Sequence, residues 1–230
     1  MSINNYAPNE GVTYYKVGGC VRDDLLGIPS KDIDYAVEAN SYNELYDDLI
    51  DRGAKIFQER PEYLTIRAQV PDIGNADFVI CRKDGFYTDG RRPDGVTKAT
   101  LLHDLERRDF TMNAIAQTSD GRLIDPHGGR RDAELGFIRC VGCTTHRFSE
   151  DSLRMLRAIR FSITKDMTLS PCIVDCLEDP EYVDLLSNVS IERQREEFYK
   201  AFQHNTFKTL KALQMFPLIA KAVFGSKFSQ

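Results

Sequence analysis

Apolar and polar positions change rhythm several times along this chain, and each rhythm predicts an element. Residues Val12–Val17 form a short apolar strand that ends at the paired glycines Gly18 and Gly19. A short helix opening at Arg22 separates it from a second strand entered at Lys31. There Ile33 and Tyr35 project from one face, Asp32 and Asp34 from the other. Ser41–Arg52 (SYNELYDDLIDR) switches to helical spacing, with Ser41 as a cap, Leu45 and Leu49 four apart, and Gly53 as a stop. Strands are predicted next at Lys55–Gln58, Tyr63–Val70 and Asp77–Arg82.

The second half reads differently. Asp84–Val96 (DGFYTDGRRPDGV) is rich in Gly and Asp, which predicts a mobile loop carrying Arg91 and Arg92. Leu105–Ala116 (LERRDFTMNAIA) is amphipathic, and residues 121–142 suggest a hairpin or turn followed by a strand at Phe137–Val141. Ser149–Phe161 (SEDSLRMLRAIRF) reads as one helix capped by Ser149, with Glu150 and Asp151 in its first turn. On its wheel Asp151, Arg154 and Arg157 fan over one arc, while Leu153, Met155, Leu156 and Ile159 fill the other. Arg160 falls among the apolar positions and needs a buried acid, Glu192 or Glu196. Helices follow at Pro171–Leu177, Tyr182–Leu186, Ile191–Gln203, capped by Ser190, and Phe207–Met215.

The 230 residues, 42% hydrophobic, suit one or two domains with a real core. Neither an export signal nor a membrane-length apolar run is expected. Six irregularly spaced cysteines fit reduced thiols in a cytoplasmic compartment. A CxxCxxH cluster at Cys140, Cys143 and His146 could offer zinc ligands, though Cys140 falls in a predicted strand. The net charge of −5 argues against a broadly basic surface. Counting Lys and Arg against Asp and Glu gives 9 to 16 in residues 1–90, 13 to 10 in 91–160, and 8 to 9 in 161–230. The middle third is therefore where phosphate contacts are expected.

The candidate chemistry sits at Val17–Val37. Paired glycines bring backbone N–H groups close to a phosphate, and two carboxylates on one strand face repel unless a cation lies between them. Arg108 offers forked donors to phosphate oxygens, and Asp109 or Asn113 can accept from a ribose hydroxyl. On the later helix, Asp151 can accept from an exocyclic amine and Arg154 can donate to a ring nitrogen, features that cytosine and adenine share.

These stretches together resemble the polymerase-β-like nucleotidyltransferases, in the class that holds bacterial CCA-adding enzymes and poly(A) polymerases. The resemblance rests on GGCVRD with DID, on RRDFTMNA, on the stretch at 121–142, on EDSLR, and on SIERQREEFYKAF. It implies an α+β fold: a mixed-sheet catalytic head over residues 1–145, then an all-α neck over 146–230 with a truncated body. It implies Mg²⁺ at Asp32 and Asp34, with Asp77 as a third catalytic carboxylate. Gly18, Gly19, Arg22, Arg108, Asp109, Asn113, Asp151, Arg154 and Arg157 would bind the nucleotide, and Arg91 and Arg92 would lie in the flexible loop. The implied reaction is template-independent transfer from CTP and ATP to the 3′ end of tRNA. The resemblance implies no zinc at the cysteine cluster. Competing readings are A-only or poly(A) addition, a catalytically silent RNA-binding module, a remnant whose missing tail a partner or second copy supplies, and transfer to a protein or small molecule.

Overall fold

A computed structural model describes residues 11–30, 33–71, 73–85 and 95–225. They fall into two units that divide between Glu134 and Leu135. The first unit runs β1 (Thr13–Val17), α1 (Gly19–Leu25), β2 (Ile33–Glu38), α2 (Tyr42–Asp51), β3 (Lys55–Arg60), β4 (Thr65–Val70), β5 (Gly74–Ile80), β6 (Arg82–Asp84) and β7 (Val96–Lys98). It continues through α3 (Leu101–Glu106), β8 (Ala116–Gln117), β9 (Leu123–Ile124) and α4 (Gly129–Glu134). Seven strands form a mixed sheet in the order β3-β4-β5-β2-β1-β8-β9, in which only β2 and β5 run parallel.

Alternation along β4 and β5 gives this sheet one apolar face. Ile66, Ala68 and Val70 on β4 and Ala76, Phe78 and Ile80 on β5 are buried, and Leu45 and Leu49 of α2 pack into the same cluster. Tyr35 stacks on Phe78 at 5.2 Å between ring centres, with Tyr14 edge-on to both. The other face keeps Arg67, Asp77 and Asp34 accessible, and this asymmetry leaves one side of the sheet for chemistry. The cap of α2 is as expected: Ser41 Oγ accepts from the Glu44 N–H at 3.1 Å, and Gly53 ends the element with φ of 74°.

Several boundaries move, each for a local reason. Helix α1 begins at Gly19 rather than Arg22, because Gly18 takes φ of 75° and turns the chain while Cys20 and Val21 are buried. Tyr63 belongs to a 3₁₀ turn and Leu64 adopts φ of 56°, so β4 starts at Thr65. The ends of the expected loop pair as an antiparallel hairpin, Arg82 with Lys98 and Asp84 with Val96; Arg91 and Arg92 lie outside the described residues. The expected hairpin or turn is a turn at 126–127 that leads into the helix Gly129–Glu134, where the Asp125 carboxylate accepts from the N–H groups of Gly129 and Arg130 at 2.8 and 2.9 Å. A Cβ on Gly129 would lie 1.8 Å from the Thr111 carbonyl oxygen, so only glycine permits this approach.

The second unit holds β10 (Phe137–Ile138), α5 (Thr144–Glu150), α6 (Leu153–Thr164), β11 (Thr168–Leu169), α7 (Pro171–Glu178), α8 (Pro180–Asp184), α9 (Ile191–His204), α10 (Thr206–Met215) and α11 (Pro217–Phe224). It is helical apart from one short parallel ladder, β10 with β11. The strand expected to reach Val141 stops at Ile138, and α11 continues past the last expected helix with Pro217 in its first turn. The helix expected over Ser149–Phe161 is two helices. Ser149 lies inside α5, its hydroxyl donating to the Thr145 carbonyl at 3.0 Å, and the chain breaks at Asp151 in extended geometry. Ser190 precedes α9 without a side-chain capping bond. Arg160 does find a buried acid, but it is Glu197 at 2.5 Å, not Glu192 or Glu196. Among the described residues, which include all six cysteines, there is no disulfide and no cluster of three metal-ligating side chains. No described helix is long and apolar enough to cross a membrane.

Candidate active site

The first unit gathers most of the expected residues around the turn at Gly18. A Cβ there would lie 2.8 Å from Arg108 Nη1 and 3.9 Å from Asp34 Oδ2, so a guanidinium and an acid approach the point that the glycine leaves open. The Gly18 N–H itself donates to the Ile115 carbonyl at 3.2 Å. Asp32 lies outside the described residues; Asp34 stands half-buried on β2.

Arg108 is held by Asp104, an acid that is 1% exposed and was not among the expected site residues. Arg108 Nη2 and Arg107 Nη2 both donate to it, at 2.9 and 2.6 Å. Burial pushes the Asp104 carboxyl up, but Arg108 and Arg107 outweigh it and hold the group below its usual range. The signal was present in LHDLERR, where Asp104 stands three and four positions before the two arginines.

A second network joins the remaining residues. Arg22 is 4% exposed and turns inward, pairing with Asp23 at 2.8 Å and donating to Asn113 Oδ1 at 2.5 Å. Asn113 Nδ2 donates to Asp109 at 3.0 Å, and Asp109 also accepts from the Phe110 N–H at 2.8 Å. Arg22 is thus a brace that sets Asn113 and Asp109. Thr111 donates to Asp132 at 2.7 Å, which ties the same turn to α4.

Strand pairing puts Asp77 directly beside Asp34, register partners on the parallel pair β2 and β5. Asp77 is also opposite Arg67, which grips it with two bonds at 2.6 and 2.9 Å. Gln58 stands opposite Arg67, so a row of acid, acid, guanidinium and amide crosses four strands. This row borders an open cleft of about 440 Å³ lined by Asp34, Arg60, Tyr63, Arg67, Asp77 and Arg82 among others. Its donor set toward a cation is carboxylate oxygen, without thiol or imidazole, which suits Mg²⁺. Neither Arg67, which stands in this row, nor Arg60, two residues beyond Gln58 on β3, was expected at the site, because which residues of neighbouring strands lie together appears only once register is known.

In the second unit, Asp151, Arg154 and Arg157 do not share one helical arc, since Asp151 precedes α6. Its carboxylate accepts from the Leu153 N–H at 3.1 Å, with Arg193 4.0 Å away. Burial raises its pKa by more than Arg193, Arg154 and Arg157 lower it. Arg154, 7% exposed, donates to Glu150 at 2.6 Å and to the Arg147 carbonyl at 3.1 Å. The Arg157 guanidinium lies 5.5 Å from the centre of the Phe161 ring.

A mixed sheet whose open face carries paired acids beside a glycine turn defines a class, and the chain belongs to the poly A polymerase head domain family, matched over residues 14–139. Its relatives narrow the likeness. The chain is 39% identical to the CCA-adding enzyme of Lactiplantibacillus plantarum over 194 residues, 83% of this chain and 45% of that protein. It is similar in structure to the Bacillus stearothermophilus CCA-adding enzyme in complex with CTP (TM-score 0.76, 32% identity, 93% of this chain and 49% of that one). It also matches a tRNA nucleotidyltransferase complexed with a primer tRNA and an incoming ATP analog (TM-score 0.75, 29% identity, 92% and 59%). The chain spans about half the length of the curated relatives it matches.

Proposed function

We propose that this chain adds C and A ribonucleotides to the 3′ end of tRNA, drawing on CTP and ATP and using no nucleic-acid template. The observation that supports this most is the register pairing of Asp34 with Asp77 beside the Gly18 turn, in a chain so similar to CCA-adding enzymes. The head is taken as residues 1–145 and the neck as 146–230. The RNA 3′ oxygen bonds to the α-phosphorus of the nucleotide, the α–β phosphoanhydride bond breaks, and pyrophosphate departs.

Asp32 and Asp34 would hold Mg²⁺, which when bound lowers the pKa of the attacking hydroxyl and neutralises charge on the leaving pyrophosphate. Asp77 orients the hydroxyl. Gly18 and Gly19 leave space for the triphosphate, Arg108 faces it, and Arg22 acts through Asn113 to hold Asp109 against the ribose. A buried acceptor left unpaired penalises a deoxynucleotide. Asp151, Arg154 and Arg157 read the base, and Arg91 and Arg92 contribute contacts to the nucleotide or the RNA. Reduced thiols suit a cytoplasmic enzyme.

The test is a tRNA lacking its terminal triplet, offered CTP alone, ATP alone and both, with products resolved on a sequencing gel. Two added residues with CTP and three with both are the expected outcome. A second reading, addition of A alone, is favoured by the family match to poly A polymerase heads; extension with ATP alone would select it. No extension in any arm overturns both.

A further inference from the structure

The open face of the sheet carries more positive charge than nucleotide binding has used. Arg60 and Arg82 line the cleft beside Asp34, together with Arg67, which grips Asp77. Arg82 donates to the Tyr63 carbonyl and is half-buried, while Arg60 is exposed at the end of β3. A second hollow, of about 210 Å³, shares Arg67 and Asp77 with this cleft, and Phe57, 53% exposed, also lines it. An exposed aromatic ring sharing a hollow with one guanidinium, with two more lining the adjoining cleft, is the composition that single-stranded nucleic acid selects. Guanidiniums take the phosphates, and a ring stacks a base whatever its identity.

We infer that this face, from Asp34 outward across β5, β4 and β3, is the track that holds the last nucleotides of the acceptor RNA strand. The phosphodiesters lie against Arg60 and Arg82, and a base rests on Phe57. Arg67 stands at the junction. Its guanidinium orients Asp77 and is within reach of the strand that Asp77 serves. This rests on the reading of the chain as an RNA nucleotidyltransferase, and it assigns which surface takes the RNA rather than the nucleoside triphosphate.

Arg60→Gln, Arg60→Lys and Phe57→Ala test it in two assays. Direct binding of a fluorescent single-stranded RNA dodecamer needs no catalysis. Arg60→Gln and Phe57→Ala should each weaken it about tenfold, with Arg60→Lys between them and the wild type. Arg60→Gln should also flatten the logarithmic salt slope by about one. In steady-state incorporation, KM for the primer RNA should rise about tenfold while KM for CTP moves less than twofold. RNA binding within twofold of wild type in both Arg60→Gln and Phe57→Ala overturns the assignment, as does a rise confined to the CTP KM. If the wild-type chain incorporates nothing, the enzymatic reading fails, and the dodecamer assay still decides the surface.

Discussion

The first unit contains two Arg–Asp pairs of nearly the same geometry in very different surroundings. Arg52 grips Asp48 through two bonds at 2.5 and 3.2 Å, and both side chains are 5% exposed or less. Tyr14 closes that group, its hydroxyl donating to Asp48 at 2.5 Å and its ring under the guanidinium at 5.2 Å. Arg67 grips Asp77 on the open face, with side chains 47% and 30% exposed. Identical chemistry therefore serves opposite ends. The buried pair is locked, since losing either partner strands a charge in the core. The open pair contributes little to stability because water screens it, so its carboxylate can exchange partners at small cost.

The difference can be broken at its functional end first. Asp34→Asn, beside Asp77, should cost about 5 kcal/mol of barrier, between a thousand- and ten-thousandfold in kcat, with Tm shifted by under about 2 °C. Near-normal incorporation would remove Asp34 from the chemistry. At the structural end, Asp48→Ala should destabilise the fold by about 3–5 kcal/mol in urea titration. Folded Asp48→Ala protein should retain its kcat. A loss below about 1 kcal/mol would show that the buried pair is not locked. Arg67→Lys keeps the charge and forfeits the fork, so it should lower kcat roughly tenfold while stability moves by less than about 1 kcal/mol. A stability loss matching that of Asp48→Ala would erase the distinction between the two pairs.

How much of this was readable beforehand depends on the range of each interaction. Ser41 with Glu44, Leu45 with Leu49, and the turn at Gly18 are local patterns, and each forms much as read. Arg67 with Asp77 lies beyond local reading, because a slip of one residue on either strand would send one side chain to the opposite face. Arg160 illustrates the same limit on a helix. A buried acid was required, but Glu196 and Glu197 stand about 100° apart on the wheel, and only packing against α6 selects Glu197. The break at Asp151 was hidden because SEDS offers two competing serine caps. The chain ends α5 there and starts α6 beyond it, with the Ser152 hydroxyl donating to the Leu185 carbonyl at 2.9 Å rather than capping. Asp32, Arg91 and Arg92 lie outside the described residues.

Asp151 itself supplies the smallest effect and the finest test, by contrast with Asp104. Guanidiniums overcome burial at Asp104 and lower its pKa, so its stabilising contribution is present above the unfolded value of about 3.9 and lost as pH falls through the folded one. At Asp151 burial wins and the folded pKa is raised, so the sign reverses. Stability is full below the unfolded value and is lost as pH rises through the folded one. Above its folded pKa the ionised Asp151 therefore burdens the fold, unlike the brace at Asp104. Asp151→Asn should raise Tm slightly at pH 7, the gain fading as pH falls toward the unfolded value of about 3.9. The same variant should lose discrimination of CTP and ATP against UTP and GTP, because an amide presents a donor where the carboxylate only accepts. A Tm gain with selectivity intact would make Asp151 an idle buried acid, and a pH-independent loss of Tm would make it a brace like Asp48.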